Sequence, residues 1–137
     1  MYFVRNSLSN LIYSENQDSK LFEKSIWNLG TLLGFESTTP EKTLDDGGPD
    51  NLWRSPEYSL IIECKNNAIN GVVSKSDLNQ LSGALNWYKE RYILENDYCG
   101  IFFHPYYKID RRGSFSSEMK VVPKEKFELL KKMWKLS

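Results

Sequence analysis

Asp50, Glu63 and Lys65 are the side chains whose types and spacing point most directly to chemistry. The stretch Gly47-Gly48-Pro49-Asp50 through Ile62-Glu63-Cys64-Lys65 reads as two strands, Asp50–Arg54 and Tyr58–Lys65, separated by Ser55-Pro56-Glu57. A two-residue turn at Pro56-Glu57 sets Arg54 opposite Ser59, Leu52 opposite Ile61 and Asp50 opposite Glu63, with facing Cβ atoms about 4.5–5.5 Å apart. Two carboxylates at that spacing repel unless a cation lies between them. Lys65 projects from the same face as Glu63 because strand side chains alternate. A hard divalent ion such as Mg²⁺, with Mn²⁺ as a substitute, suits such a site, since it takes oxygen ligands and keeps water and phosphate oxygens around it. The Cys64 backbone carbonyl offers one more oxygen. An ion held there would polarise a phosphoryl oxygen and lower the pKa of a bound water. Lys65 would orient that water or stabilise charge in the transition state. The plainer reading makes Asp50 a turn residue and Glu63–Lys65 an exposed ion pair. Charge directly after the apolar run Leu60-Ile61-Ile62 needs a reason, which favours the chemical reading.

The flanking elements must position these groups. A first helix is predicted from about Glu15 to Leu33, with Ser14 and Gln17 as a capping box and Gly34 at its left-handed end. Phe22, Ile26, Leu29 and Leu33 form its apolar stripe, and Glu23, Trp27 and Gly30 border the buried face. A short strand is expected within Phe35–Thr39, then a loop from Pro40 to Pro49 with turn chemistry at Asp45-Asp46-Gly47-Gly48. A second helix, about Ser76 to Glu95, carries a core stripe of Leu78, Leu81, Leu85, Tyr88 and Tyr92, beside a second stripe of Gln80, Ala84, Trp87 and Arg91. Tyr98–Phe103 reads as a buried strand, Tyr106–Ser117 as a loop and Met119–Val122 as a last strand. Pro123 opens a helix through about Leu136, with Phe127, Leu130 and Trp134 facing inward and Lys124, Lys126, Lys131, Lys132 and Lys135 forming its wet face. The order predicts an α/β (α+β) fold, a central mixed β-sheet flanked by helices.

Composition bounds the function. The chain has 137 residues, 40% hydrophobic and 26% charged, which argues for one globular domain spanning 1–137. No run approaches the ~18 apolar residues of a membrane span, and the opening MYFVRNSLSN lacks an apolar signal core, so a soluble, cytoplasmic protein is expected. Lys and Arg number 18 and so do Asp and Glu, a balance that excludes holding nucleic acid by bulk charge alone. The charge is uneven, however. Residues 1–103 carry 9 basic and 14 acidic side chains, and residues 104–137 carry 9 basic and 4 acidic. That division fits a metal site beside a polyanion-binding surface, or simply a solvated basic helix. Cys64, Cys99 and the lone His104 cannot build a four-ligand zinc site, and both cysteines are expected reduced. His104 reads as a strand-end residue. Tyr106, Tyr107, Lys108, Arg111 and Arg112 form a basic-aromatic loop able to stack bases and neutralise phosphates, or to serve as a solvated loop or docking surface.

Pro49-Asp50, twelve residues, then Glu63-Cys64-Lys65 resembles the PD-(D/E)XK nuclease superfamily, whose fold is restriction-endonuclease-like. Leu21-Phe22-Glu23-Lys24 through Leu32-Leu33-Gly34-Phe35 is similar to the first helix of its Mrr-like and Holliday-junction-resolvase-like members. Gln80 resembles the helix glutamine of RecB-like members, and Trp87 and Tyr88 echo aromatics further along that helix. The resemblance covers about residues 20–103. It implies that Asp50 and Glu63 are metal ligands, Lys65 the catalytic lysine, Glu23 an accessory ligand or water-orienting group, and Gln80 a residue that helps position the site. The competing readings are a solvated helix glutamate for Glu23 and a surface glutamine for Gln80. The activity implied is Mg²⁺-dependent hydrolysis of phosphodiester bonds, in DNA, by metal-activated water, leaving 5′-phosphate and 3′-hydroxyl ends. With little sequence beyond the core for target recognition, a homodimer or a partner subunit is expected, with Trp53 or Trp134 as candidate interface aromatics. The alternative is a non-catalytic nuclease-like module that binds nucleic acid or a protein partner within a larger complex.

Overall fold

The computed structural model describes residues 9–44, 47–92 and 96–136, with side chains up to residue 133. The elements are α1 (Ser19–Leu32), β1 (Glu36–Thr38), α2 (Pro40–Thr43), β2 (Asn51–Arg54), β3 (Tyr58–Cys64), α3 (Lys75–Arg91), β4 (Asp97–Phe103), β5 (Met119–Val122) and α4 (Lys124–Leu136). The five strands form one mixed sheet in the order β1-β2-β3-β4-β5. β1, β2 and β3 are antiparallel neighbours, while β3, β4 and β5 run parallel. This is the α/β fold with a central mixed sheet flanked by helices that the sequence predicts.

The β2–β3 register has Arg54 opposite Ser59, Trp53 opposite Leu60, Leu52 opposite Ile61 and Asn51 opposite Ile62. The hydrophobic pattern dictates it, because a slip by one residue would turn every core side chain to the other face. One face carries Leu52, Ile61 and Phe102 against Leu78, Leu81, Ala84, Leu85 and Tyr88 of α3. The other carries Trp53, Ile62 and Phe103 against Phe22, Ile26 and Leu29 of α1 and Phe127 of α4. The sheet therefore lies between α3 on one side and α1 with α4 on the other, each helix meeting it with its apolar stripe.

Several local expectations change. α1 begins at Ser19, not near Glu15. Asp18 is its N-cap, accepting from Lys20 N–H at 2.8 Å, and Ser14–Gln17 form a separate turn closed by Gln17 N–H to Ser14 O. Gly34 has φ +93° just past the helix end, the left-handed residue expected there. The predicted loop at Pro40 contains the short helix α2, with Pro40 at its first turn. Residues 45–46, part of the predicted turn, lie outside the described residues, as do 93–95. α3 ends at Arg91, with Tyr92 as its C-cap. Trp27 is exposed rather than at the edge of the buried face, its indole N–H donating to Ser37 O at 2.9 Å. Trp53 is buried and so forms no interface in the folded domain. Lys131 is not on a wet face, since Nζ donates to Leu11 O at 2.9 Å and pairs with Glu128 at 3.0 Å. Phe127 is fully buried and Leu130 half-buried, while the side chains of Trp134 and Lys135 lie outside the described residues. Cys64 and Cys99 are free. No helix among the described residues is long and apolar enough to cross a membrane.

α1 can sit close to the sheet because Gly30 leaves space for Trp53. A Cβ at Gly30 would lie 2.4 Å from Trp53 Nε1 and 2.6 Å from Cδ1. Helix propensity alone would make Gly30→Ala stabilising by about 1 kcal/mol. The collision with a buried ring should reverse the sign, giving a net loss of about 1–3 kcal/mol. Urea denaturation checks this, and a higher midpoint for the variant would contradict it.

Candidate active site

β3 and β4 end together, with Cys64 opposite Phe103, and the chain leaves both strands there. To one side of β3 the sheet is parallel and to the other antiparallel. A pocket of about 540 Å³ opens at this place, lined among others by Glu23, Glu41, Asp50, Glu63, Lys65 and Gln80. Cys64, Lys20 and Lys42 also line it.

The five side chains singled out from sequence thus reach one pocket from four places in the chain. Glu23 comes from the middle of α1, Asp50 from the residue before β2, Glu63 from the end of β3, Lys65 from just beyond it and Gln80 from α3. Hydrogen bonds fix the frame. Asn51 Nδ2 donates to the Glu23 carbonyl at 3.1 Å, tying β2 to α1, and Cys64 N–H donates to Asp50 Oδ2 at 2.9 Å, tying the hairpin ends together. Cys64 Sγ donates to Asn51 Oδ1 at 3.6 Å, so its thiol is engaged away from the carboxylates. Gln80 is exposed on the pocket wall.

Sequence reasoning missed Glu41. This residue belongs to α2, and one carboxylate oxygen each from Glu23, Glu41 and Asp50 lie within 4.8 Å of one another. Its position follows from α2 folding back over Pro49, with Glu41 N–H donating to Pro49 O at 3.0 Å. Pro at a first turn with an acidic residue next to it was the available signal. Gly48 makes room for α2, because a Cβ there would lie 2.8 Å from Pro40 Cβ and 3.0 Å from the Trp87 ring.

The electrostatics show the crowding. Burial, then the charge and hydrogen bonding of Asp50, push Glu63 from an ordinary 4.5 to about 10. A hydrogen bond with Asp50, burial and the Asp50 charge push Glu41 to about 7. Burial also raises Glu23, and the Lys42 ammonium 3.7 Å away partly offsets it. An all-oxygen donor set whose members resist ionising together is the chemistry that a hard divalent cation relieves. Glu23, Glu41 and Asp50 are the side chains close enough together to hold one, and Glu63, predicted as a ligand, hydrogen-bonds with Asp50 but lies outside that group of three.

Behind the carboxylates, Lys65 Nζ donates to Asp77 Oδ1 at 2.7 Å. Burial pushes the Asp77 carboxyl up, but bonds from His104, Lys65 and the Ser74 N–H outweigh it and hold Asp77 well below the usual range. Neither Asp77 nor His104 was singled out as functional in the sequence. The basic-aromatic loop is placed differently from the five pocket residues. Tyr106, Tyr107, Lys108, Arg111 and Arg112 are not among the pocket-lining residues. Tyr107 is 77% exposed, Tyr106 stacks at an angle near His104, and Arg112 is engaged by Asp110 at 2.9 Å.

Two outcomes follow from the crowding. Carboxyls with raised folded-state pKa keep their protons where the unfolded chain has lost them, so stability falls as pH rises through that window. In EDTA, melting temperature should drop between about pH 4.5 and 7, where Glu41 titrates, and continue to drop above it as Glu63 ionises. A flat or rising profile across that range would contradict this. Glu41→Gln removes one of the repelling groups, and should raise the melting temperature in EDTA at pH 8. Thermal melts in EDTA measure it, and loss of stability would show that Glu41 does not share the strain. Searches for a matching protein family, curated protein or solved structure return no match for this chain.

Proposed function

We propose that this domain is a divalent-metal-dependent nuclease that hydrolyses phosphodiester bonds in DNA, built on the pattern of the PD-(D/E)XK superfamily. The observation that supports it is the convergence of Glu23, Asp50, Glu63, Lys65 and Gln80 on one pocket. Residue type and spacing select Asp50, Glu63 and Lys65, and the family resemblance adds Glu23 and Gln80 from two separate helices. The acidic crowding around Asp50 supplies the reason for a cation.

In this reading Asp50 and Glu63, with Glu23 and Glu41, would hold Mg²⁺ or Mn²⁺. When bound, such an ion supplies Lewis-acid polarisation of the scissile phosphate and acidifies a coordinated water. The remaining work belongs to the chain. Lys65 Nζ presents N–H donors at the pocket, where they stabilise charge developing on the phosphoryl oxygens and orient the attacking water. The Gln80 amide, which lines the same pocket, offers a donor and an acceptor for positioning. Lys20 and Lys42 line the same pocket and would neutralise phosphates flanking the cut. Exposed Tyr107, Lys108 and Arg111 extend the surface available to the rest of the strand.

The test is incubation of circular and linear, single- and double-stranded DNA with Mg²⁺ or Mn²⁺, beside EDTA, Lys65→Ala and Glu63→Gln. Cutting is expected with metal only, and each variant should be slower by about 10² or more. Cutting of circles would mark endonuclease action. Intact DNA in every lane, together with a melting temperature indifferent to Mn²⁺, would overturn the nuclease reading in favour of a non-catalytic binding module.

A further inference from the structure

Lys65 is 41% exposed, yet its ammonium does not wander in solvent. It is bound at 2.7 Å to Asp77, a carboxylate on the first turn of α3 whose side chain is 1% exposed. Asp77 is in turn held from two sides. Its Oδ2 accepts from Ser74 N–H at 2.9 Å and lies 3.2 Å from His104 Nε2. His104 follows β4 directly and is fully buried. Its Nδ1 accepts the Tyr106 N–H at 3.1 Å, so that nitrogen carries no hydrogen and Nε2 must be the donor to Asp77. The result is one continuous chain of bonds, from the Tyr106 backbone through His104 and Asp77 to Lys65.

We propose that Asp77, oriented by His104, is the positioning residue for Lys65, fixing its ammonium at the pocket wall. This rests on the nuclease reading for its role in turnover, but not for the restraint itself. The division of labour between the two oxygens is the basis of the assignment. Oδ2 serves the helix cap and His104, and Oδ1 serves Lys65. A residue needed only to cap α3 would require Oδ2 alone. A buried histidine whose other nitrogen is committed to the backbone cannot turn away, so the carboxylate plane is set before Lys65 is bound. Sheet register reinforces this: Lys65 N–H donates to Phe103 O at 2.9 Å, which locks the residue before His104 to Lys65 itself.

Asp77→Asn separates positioning from capping. Its amide oxygen can take the place of Oδ2, where two donors converge, which leaves the NH₂ group facing Lys65 Nζ, donor against donor. Turnover should fall by about tenfold or more while KM and Mn²⁺ affinity move by less than about threefold. Turnover equal to wild type would overturn the proposal. A second measurement works without activity: lysine-selective ¹⁵N NMR of the side-chain ammonium groups in the wild-type chain. One ammonium resonance should show slow hydrogen exchange, be assigned to Lys65 by its loss in Lys65→Arg, and become fast-exchanging in Asp77→Asn. A Lys65 signal as labile as those of the exposed lysines would overturn the proposal even if Asp77→Asn fails to fold. A restrained Lys65 in a protein that cuts no DNA would leave the positioning intact and defeat the nuclease reading instead.

Discussion

Repulsion among carboxyl groups at the end of β3 is the constraint around which this domain is arranged. Glu63, Glu41 and Glu23 share a pocket with Asp50, and burial together with neighbouring carboxylates penalises the charge of each of those three glutamates. Such a cluster is an expense that a purely structural sheet end would avoid. The remainder of the fold keeps it in place. Trp53 wedged against Gly30 fixes α1, and with it Glu23. The Cys64 N–H on Asp50 fixes the mouth of the hairpin. Apolar packing on both sheet faces provides the rigidity that lets these unfavourable contacts persist.

The positive groups are handled with the opposite logic. Lys42 sits near Glu23 and softens its environment, whereas Lys65 is drawn away from the carboxylates by Asp77. Four acidic groups and three lysines lining one pocket could collapse into mutual ion pairs. Here Asp77, a buried acid that is not among the pocket-lining residues, takes Lys65. The pocket therefore keeps both its negative centre and an accessible ammonium.

Much of this was legible in the sequence, for identifiable reasons. The β2–β3 register follows from alternating apolar residues and a short turn, so the approach of Asp50 to Glu63 could be computed by counting. The stripes of α1 and α3 placed Glu23 and Gln80 on the correct sides of those helices. Residues whose roles depend on distant packing were not legible. Glu41 belongs to a four-residue helix that no periodicity can announce, and its value arises only where α2 folds over Pro49. Asp77 looks like an ordinary capping residue after Ser74, and its second oxygen has meaning only once β3 and β4 are side by side. His104 is the clearest instance. Its position after an apolar strand suggests an end, and only the three-dimensional fold shows that the end points inward at Asp77. Trp53 and Lys131 were misjudged for the same reason, since exposure is a property of the whole fold and not of a residue's type.

The mixed sheet also imposes an order on how the pocket can come together. The Asp50–Glu63 pair belongs to a tight antiparallel hairpin, whose ends meet at small loop-closure cost. The Lys65–Asp77–His104 chain waits on a parallel pairing, β3 with β4, that needs the whole of α3 as its crossover. Non-local parallel pairing is intrinsically the slower of the two. The negative half of the pocket is thus written into local sequence, and the anchored lysine into long-range topology. A nascent chain carrying only the hairpin would already hold paired acids, but it would lack the restraint that aims the lysine. The pairing of the acids and the anchoring of the lysine are separable stages in the folding of the polypeptide.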